Sequence, residues 1–174
     1  VGRLVLWKRI DELIAIVPDL AEKYPDFRLL VVGDGPENEK LHKQCRETGA
    51  EPYVIFTGRI SHEETLSLLK SSDVFILNSR YEGLPHTALE AMAHRCPVIA
   101  TSIGGTTEVI QNGQTGILIE PGNKQQLLEK IIFLLENEPV RKEMTKRAYE
   151  LVKGKFTWES TLSNLEKVLS MALR

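Results

Sequence analysis

Two carboxylates, Glu82 and Glu90, stand eight positions apart across Tyr81-Glu82-Gly83-Leu84-Pro85-His86-Thr87-Ala88-Leu89-Glu90-Ala91-Met92-Ala93, a stretch that reads as a loop entering a helix. Pro85 suits the first helical position, where its missing N–H is not needed, and Gly83 lets the backbone turn just before it. The helix therefore begins near 84–86, with Glu82 ahead of it and Glu90 inside. Its free N–H groups and positive dipole end suit a phosphate or another anion. Glu90 is flanked by Ala88, Leu89, Ala91, Met92 and Ala93, and an almost wholly apolar helix is usually a buried one. A buried carboxylate needs donors, and the two hydroxyls of a ribose would supply them to its two oxygens. Read by itself, the segment leaves a second reading open, in which Glu90 meets a protein partner and Glu82 is a solvated loop charge.

Two cations near the start of the chain, Arg3 and Lys8, have the complementary chemistry. Arg offers a planar fork and Lys a point charge, and together at a strand end they could neutralise a diphosphate. Taken alone they read first as surface cations with packed stems. Gly33-Asp34-Gly35-Pro36 supplies half of a dinucleotide-binding glycine fingerprint, but Asn38 stands where the third glycine belongs, so it reads as a tight strand-to-helix turn. Gly104-Gly105 makes a second glycine-rich loop able to offer N–H groups to an anion, and Glu108 after it reads as a helix-start carboxylate. His42, His62, His86 and His94 lack metal-ligand spacing, so no metal is expected. Neither a Gly-x-Ser-x-Gly elbow nor a phosphate-binding Gly-x-x-x-x-Gly-Lys-Ser/Thr loop is present, which argues against serine hydrolases and P-loop enzymes.

The elements that must position these residues follow from hydrophobic periodicity. Short apolar runs at 4–7, 28–32, 54–57, 74–77, 98–101 and 116–119 alternate with helical patterns at 11–24, 37–48, 61–71, from 85, and at 106–110. That alternation predicts an α/β, Rossmann-like, doubly wound parallel sheet with helices on both faces. Pro18 predicts a kink or break in the first helix, and Ser61 with Glu64 makes a capping box. After Pro121-Gly122 the pattern is helical only, over 124–136, 140–153 and 158–174, a tail expected to pack outside the sheet. Ligands of such sheets bind beyond the carboxyl ends of the strands, where Glu82 and Gly83 follow the run ending at Leu77.

Composition sets the outer bounds. With 174 residues, 42% hydrophobic and 26% charged, the chain suits one globular domain. A net charge of −2 gives no global reason to expect nucleic acid, and the basic stretch 141–155 reads as a solvated helix face. Cys45 and Cys96 suggest no disulfide framework, which makes a reducing, cytoplasmic setting the default. No apolar run approaches a membrane span and no signal-peptide pattern opens the chain. The chain starts inside an apolar run without an initiator Met, as an excised fragment would.

Taken together, Gly2-Arg3-Leu4-Val5 with Lys8, Val31-Val32-Gly33-Asp34-Gly35-Pro36, Phe56-Thr57-Gly58-Arg59, Glu82-Gly83-Leu84-Pro85 through Glu90-Ala91-Met92-Ala93, and Gly104-Gly105 with Glu108 resemble glycosyltransferase family 4 in order and spacing. The resemblance runs from Val1 to about Gly122, and the helical tail is compatible with it. It implies that residues 1–174 are the C-terminal, nucleotide-sugar-binding half of a two-domain GT-B enzyme that transfers a sugar with retention of configuration. The acceptor-binding N-terminal domain would lie outside this chain, so the fragment is expected to bind donor without efficient transfer. By position, Arg3 and Lys8 would hold the donor diphosphate and stabilise the leaving group, a task that needs no nucleophile. Glu82 would bind the transferred sugar beside the backbone of Gly83, Leu84 and Pro85, Glu90 the ribose, and Arg59 and Ile60 the base. The resemblance implies a UDP-, GDP- or ADP-sugar as donor, no separate cofactor or metal, and a sugar, glycan or lipid as acceptor. A lipid acceptor would add peripheral contact with a membrane to a cytoplasmic protein. One departure is Arg9, where many members carry glycine. Two rivals share the fold: an NAD-type oxidoreductase domain, which would want an intact glycine fingerprint on the first strand, and a non-catalytic interaction module, which has no need of Arg3, Lys8, Glu82 and Glu90 around one cleft.

Overall fold

The computed structural model describes residues 1–172. Five parallel strands form where apolar runs were expected: β1 (Leu29–Val32), β2 (Val54–Gly58), β3 (Phe75–Leu77), β4 (Val98–Thr101) and β5 (Ile117–Ile119). They divide into two sheets, β1 with β2 and β3-β4-β5 in that order, in place of one continuous sheet. A cavity of about 630 Å³ lies between them, lined by β1, β3 and residues Val1 to Leu4.

Residues 4–7 are not a strand. Gly2 N–H donates to the Val32 carbonyl and Leu4 N–H to that of Asp34, two bonds at and beyond the end of β1. The chain then curls away, because Lys8 N–H folds back to the Val5 carbonyl and Leu6–Lys8 close one 3₁₀ turn. The expected single helix over 11–24 is broken as Pro18 requires, into α1 (Ile10–Ala15) and α2 (Val17–Lys23), with Pro18 in the first turn of the second.

The remaining helices are α3 (Asn38–Thr48), α4 (His62–Ser71), α5 (His86–Ala93), α6 (Gly104–Val109), α7 (Lys124–Glu136), α8 (Glu138–Lys155) and α9 (Trp158–Ala172). The capping box at the start of α4 is formed in both directions, Ser61 N–H to Glu64 Oε2 and Glu64 N–H to Ser61 Oγ, and the Ser61 hydroxyl and then its N–H, both donating to the Glu64 carboxyl, lower its pKa.

β4 explains why both sheet faces are covered. All four of its residues are buried, and successive side chains point to opposite faces. Val98 and Ala100 pack with Ala88, Ala91 and Met92 of α5 and Ala148 of α8. Ile99 packs on the other side with Leu13 and Leu20 and with Leu127, Ile131 and Leu134 of α7. A third cluster joins Val31 and Val54 to Ile14, Val17, Leu41 and Cys45. α7 and α8 therefore cover the sheet as expected. α9 differs: Leu162, Leu165, Val168, Leu169 and Met171 stay exposed. No helix of the described residues is long and apolar enough to cross a membrane.

Candidate functional site

Strands are parallel within each sheet, so the segments after β1 and β2 leave one edge together, as do those after β3 and β4. The opening segment joins the two, bonded to Val32 and Asp34 on one side and to Arg80 on the other. This cationic segment reaches the first of these edges by docking on the turn after β1. Gly33 there has φ +126°, and a Cβ on it would run into the Gly2 carbonyl oxygen, so only glycine permits the approach. Glycines 33 and 35 thus serve close backbone packing. Asp34 beside them accepts from Asn38 and from Gly35 N–H, which with the charge of Arg59 holds its carboxyl below the usual range. Arg59 is exposed and Ile60 half-buried at the end of β2.

Lys8 and Glu82, distant in sequence, come together. The 3₁₀ turn aims Lys8 Nζ at Glu82 Oε1, 2.5 Å away. Arg80 N–H donates to the Trp7 carbonyl at 2.7 Å and clamps the two segments backbone to backbone. Ser79 Oγ donates to the same Glu82 oxygen at 2.6 Å. The Glu82 side chain keeps 12% of its surface exposed. Among the described residues no donor reaches its second oxygen. Lys8 and Glu82 therefore offer an ammonium and an open carboxylate oxygen side by side.

Arg9 stands where the resemblance leads one to expect glycine, and its backbone takes a conformation that glycine tolerates. Its φ is +51°, in the left-handed region, which costs a non-glycine residue about 1–2 kcal/mol. Here the side chain offsets that cost. Its guanidinium bonds both Asp11 oxygens and lies 2.6 Å from Glu12 Oε1, and the hydrogen bond to Asp11 raises its pKa further. Buried Asn78 completes the knot by donating to Glu12 Oε2 at 2.8 Å. Ser79, Asn78 and Glu12 escaped sequence reasoning. The one local signal was the acidic pair Asp11-Glu12 just after the Lys8-Arg9 cations.

The loop from Glu82 to Pro85 rests on α6. Gly105 N–H donates to the Glu82 carbonyl, and a Cβ on Gly105 would collide with the Gly83 carbonyl. The Gly104-Gly105 loop, expected to offer N–H groups to an anion, thus spends the Gly105 N–H on shaping its neighbour. Glu108 falls in the last turn of α6 and not at its start. Pro85 caps α5 from just outside it. The N-terminus of α5 is less open than expected, since His86 N–H donates to the Leu84 carbonyl and Ala88 N–H to that of Pro85. Gly83 and Leu84 are exposed, and among the described residues their N–H groups meet no acceptor.

Glu90 is not buried. α5 turns Ala88, Ala91 and Met92 inward, leaving Glu90 on the flank with 33% of its side chain exposed and His62 Nδ1 3.8 Å away. Arg3 is exposed, with no hydrogen bond or ion pair among the described residues. No three His, Cys, Asp or Glu side chains gather as a metal would require, again among the described residues.

The family model for glycosyl transferases group 1 matches residues 1–151. An uncharacterised glycosyltransferase of Methanocaldococcus jannaschii is 34% identical over 168 residues, 97% of this chain and 46% of the relative. The C-terminal domain of a group 1 glycosyl transferase from Francisella tularensis superimposes with a TM-score of 0.82 at 31% identity, covering 91% of this chain and 84% of that one. Anabaena HepE, solved in complex with UDP-glucose, gives 0.86 at 27% identity over 98% of this chain and 48% of its own. The chain spans a little under half the length of the curated relatives it matches. Motif order, parallel α/β architecture and these matches lead to one conclusion: the chain belongs to the group 1 glycosyl transferases, with the fold of a C-terminal GT-B domain.

Proposed function

We propose that residues 1–174 form the donor-binding domain of a retaining glycosyltransferase, taking a UDP-, GDP- or ADP-sugar and working with no metal or separate cofactor. The observation that carries this reading is the Lys8 and Glu82 pair at the carboxyl edge of the strands: Lys8 Nζ lies 2.5 Å from Oε1 of Glu82, and Oε2 of the same carboxylate meets no donor among the described residues. Lys8, joined by exposed Arg3, neutralises the diphosphate and the charge that builds on it as the glycosidic bond breaks. Glu82 accepts from hydroxyls of the transferred sugar. The unpaired N–H groups of Gly83 and Leu84, with Pro85 closing the turn, add neutral donors beside the phosphates. Half-exposed Glu90 takes the ribose diol, for which His62 is an easily displaced neighbour. Arg59 and Ile60 lie along the base. HepE, solved with UDP-glucose, supports a nucleotide sugar as ligand.

The acceptor, a sugar, glycan or lipid, is held by polypeptide outside these residues, a reading supported by the chain's share of its relatives' length. By itself the chain binds donor and transfers little. The test is parallel calorimetric titration with UDP, GDP, ADP and NAD. Saturable binding of one nucleoside diphosphate is the expected result and names the base. Binding of NAD alone would overturn the donor assignment in favour of a dinucleotide enzyme.

A further inference from the structure

The geometry points to Ser79 as a positioning residue that decides which oxygen of Glu82 meets the sugar. This rests on the donor-binding reading and adds a residue to it. Ser79 is fully buried, so its hydroxyl cannot turn to solvent. A serine in that position ordinarily bonds a nearby backbone carbonyl. Here it reaches three residues ahead to Glu82 Oε1 at 2.6 Å, the oxygen already held by Lys8 at 2.5 Å.

Two donors on one oxygen fix the carboxylate rotation and commit Oε1 to the protein. Oε2 is left as the acceptor that faces the ligand. The brace behind Ser79 is rigid. Thr101 Oγ1 donates to the Ser79 carbonyl, and Thr106 Oγ1 donates to the Thr101 carbonyl. Thr101 and Thr106 are both buried, which ties the end of β3 to β4 and α6. Without the Ser79 hydroxyl, Glu82 keeps Lys8 but loses the contact that sets its angle, and the sugar loses a preorganised acceptor.

The prediction separates sugar from nucleotide. The chain is titrated with UDP, GDP and ADP, each alone and as its glucose conjugate, in wild type, Ser79→Ala and Ser79→Thr. We expect Ser79→Ala to bind the bare diphosphate as wild type does and the glucose conjugate about tenfold more weakly, the loss of one hydrogen bond to a charged group. Ser79→Thr, which keeps the hydroxyl, should restore the difference. Wild-type affinity of Ser79→Ala for the conjugate overturns the inference and leaves donor binding standing. Equal weakening for both ligands also overturns it, because Ser79 would then act on the fold and not on the sugar. If wild type binds none of the six ligands, the donor reading fails and this inference falls with it.

Discussion

At the scale of single residues, each assigned role predicts a different pattern of loss. Glu90→Ala should weaken nucleoside diphosphate binding by about 1–3 kcal/mol, the cost of leaving the ribose hydroxyls without their acceptor. Calorimetry on the variant checks it, and unchanged affinity would remove Glu90 from the site. Arg3→Ala should weaken a nucleoside diphosphate at least tenfold more than the matching nucleoside, because only the former carries the phosphates. A thermal melt alongside separates this from damaged folding. Cys96 makes a separate prediction. Burial pushes its thiol from the ordinary 9.0 up to about 12. The unfolded chain therefore loses this proton first, so the stability it contributes is whole below pH 9 and declines above it, by up to about 1.4 kcal/mol per pH unit. Urea midpoints measured between pH 8 and 10.5 should fall less steeply in Cys96→Ala, and identical slopes would show that the thiol is not protected. Sequence singled out Glu82 and Glu90 by type and spacing, and Arg3 and Lys8 only through the family resemblance, and folding brings Lys8 against Glu82. It misjudged the burial of Glu90, since an apolar helix with one inward face still has flanks. Ser79 and Asn78 stayed hidden, because a lone serine or asparagine becomes informative only when folding buries it beside a carboxylate.

At the scale of elements, strands and helices were legible wherever period and punctuation agreed. Pro18 divided its helix, Ser61 and Glu64 capped α4, and β1 to β5 fell on the expected runs. The segment 4–7 misled because Leu4-Val5-Leu6-Trp7 has strand composition. Only Leu4 pairs along it, with Asp34, before the Lys8 N–H bond to the Val5 carbonyl turns the chain away. Likewise Gly104-Gly105 has the composition of an anion loop, and its use is settled by the chain lying over it. That use is testable. Gly105→Ala places a methyl group against the Gly83 carbonyl, so the loop carrying Glu82 must move. We expect a loss of about 1–3 kcal/mol in stability, together with a fall in donor affinity larger than Glu90→Ala causes. Wild-type melting and binding in Gly105→Ala would show that α6 does not set the loop.

At the scale of the whole molecule, alternation of β and α foretold parallel strands covered on both faces, and the packing around β4 meets that expectation. It did not foretell two sheets, because strand adjacency depends on pairing partners that no local pattern encodes. The division has a consequence for how the molecule comes apart. The core around β1 and β2 meets the core around β4 through α1 and α2, which turn Ile14 and Val17 to the first and Leu13 and Leu20 to the second, and through Ile10, Phe27 and Leu29, which touch both. Two hydrophobic units mortared by one broken helix pair have less reason to open together than one continuous core. Native-state hydrogen exchange should find amides of α3 and β2 opening at lower free energy than those of β4, and a single shared opening energy would refute the division. The edge proposed to bind nucleotide spans both units, with Asp34 and Arg59 on one and Glu82 and Glu90 on the other. A bound donor would then act as a staple, raising the protection of the weaker unit toward that of the stronger and coupling occupancy of the site to the cooperativity of the fold.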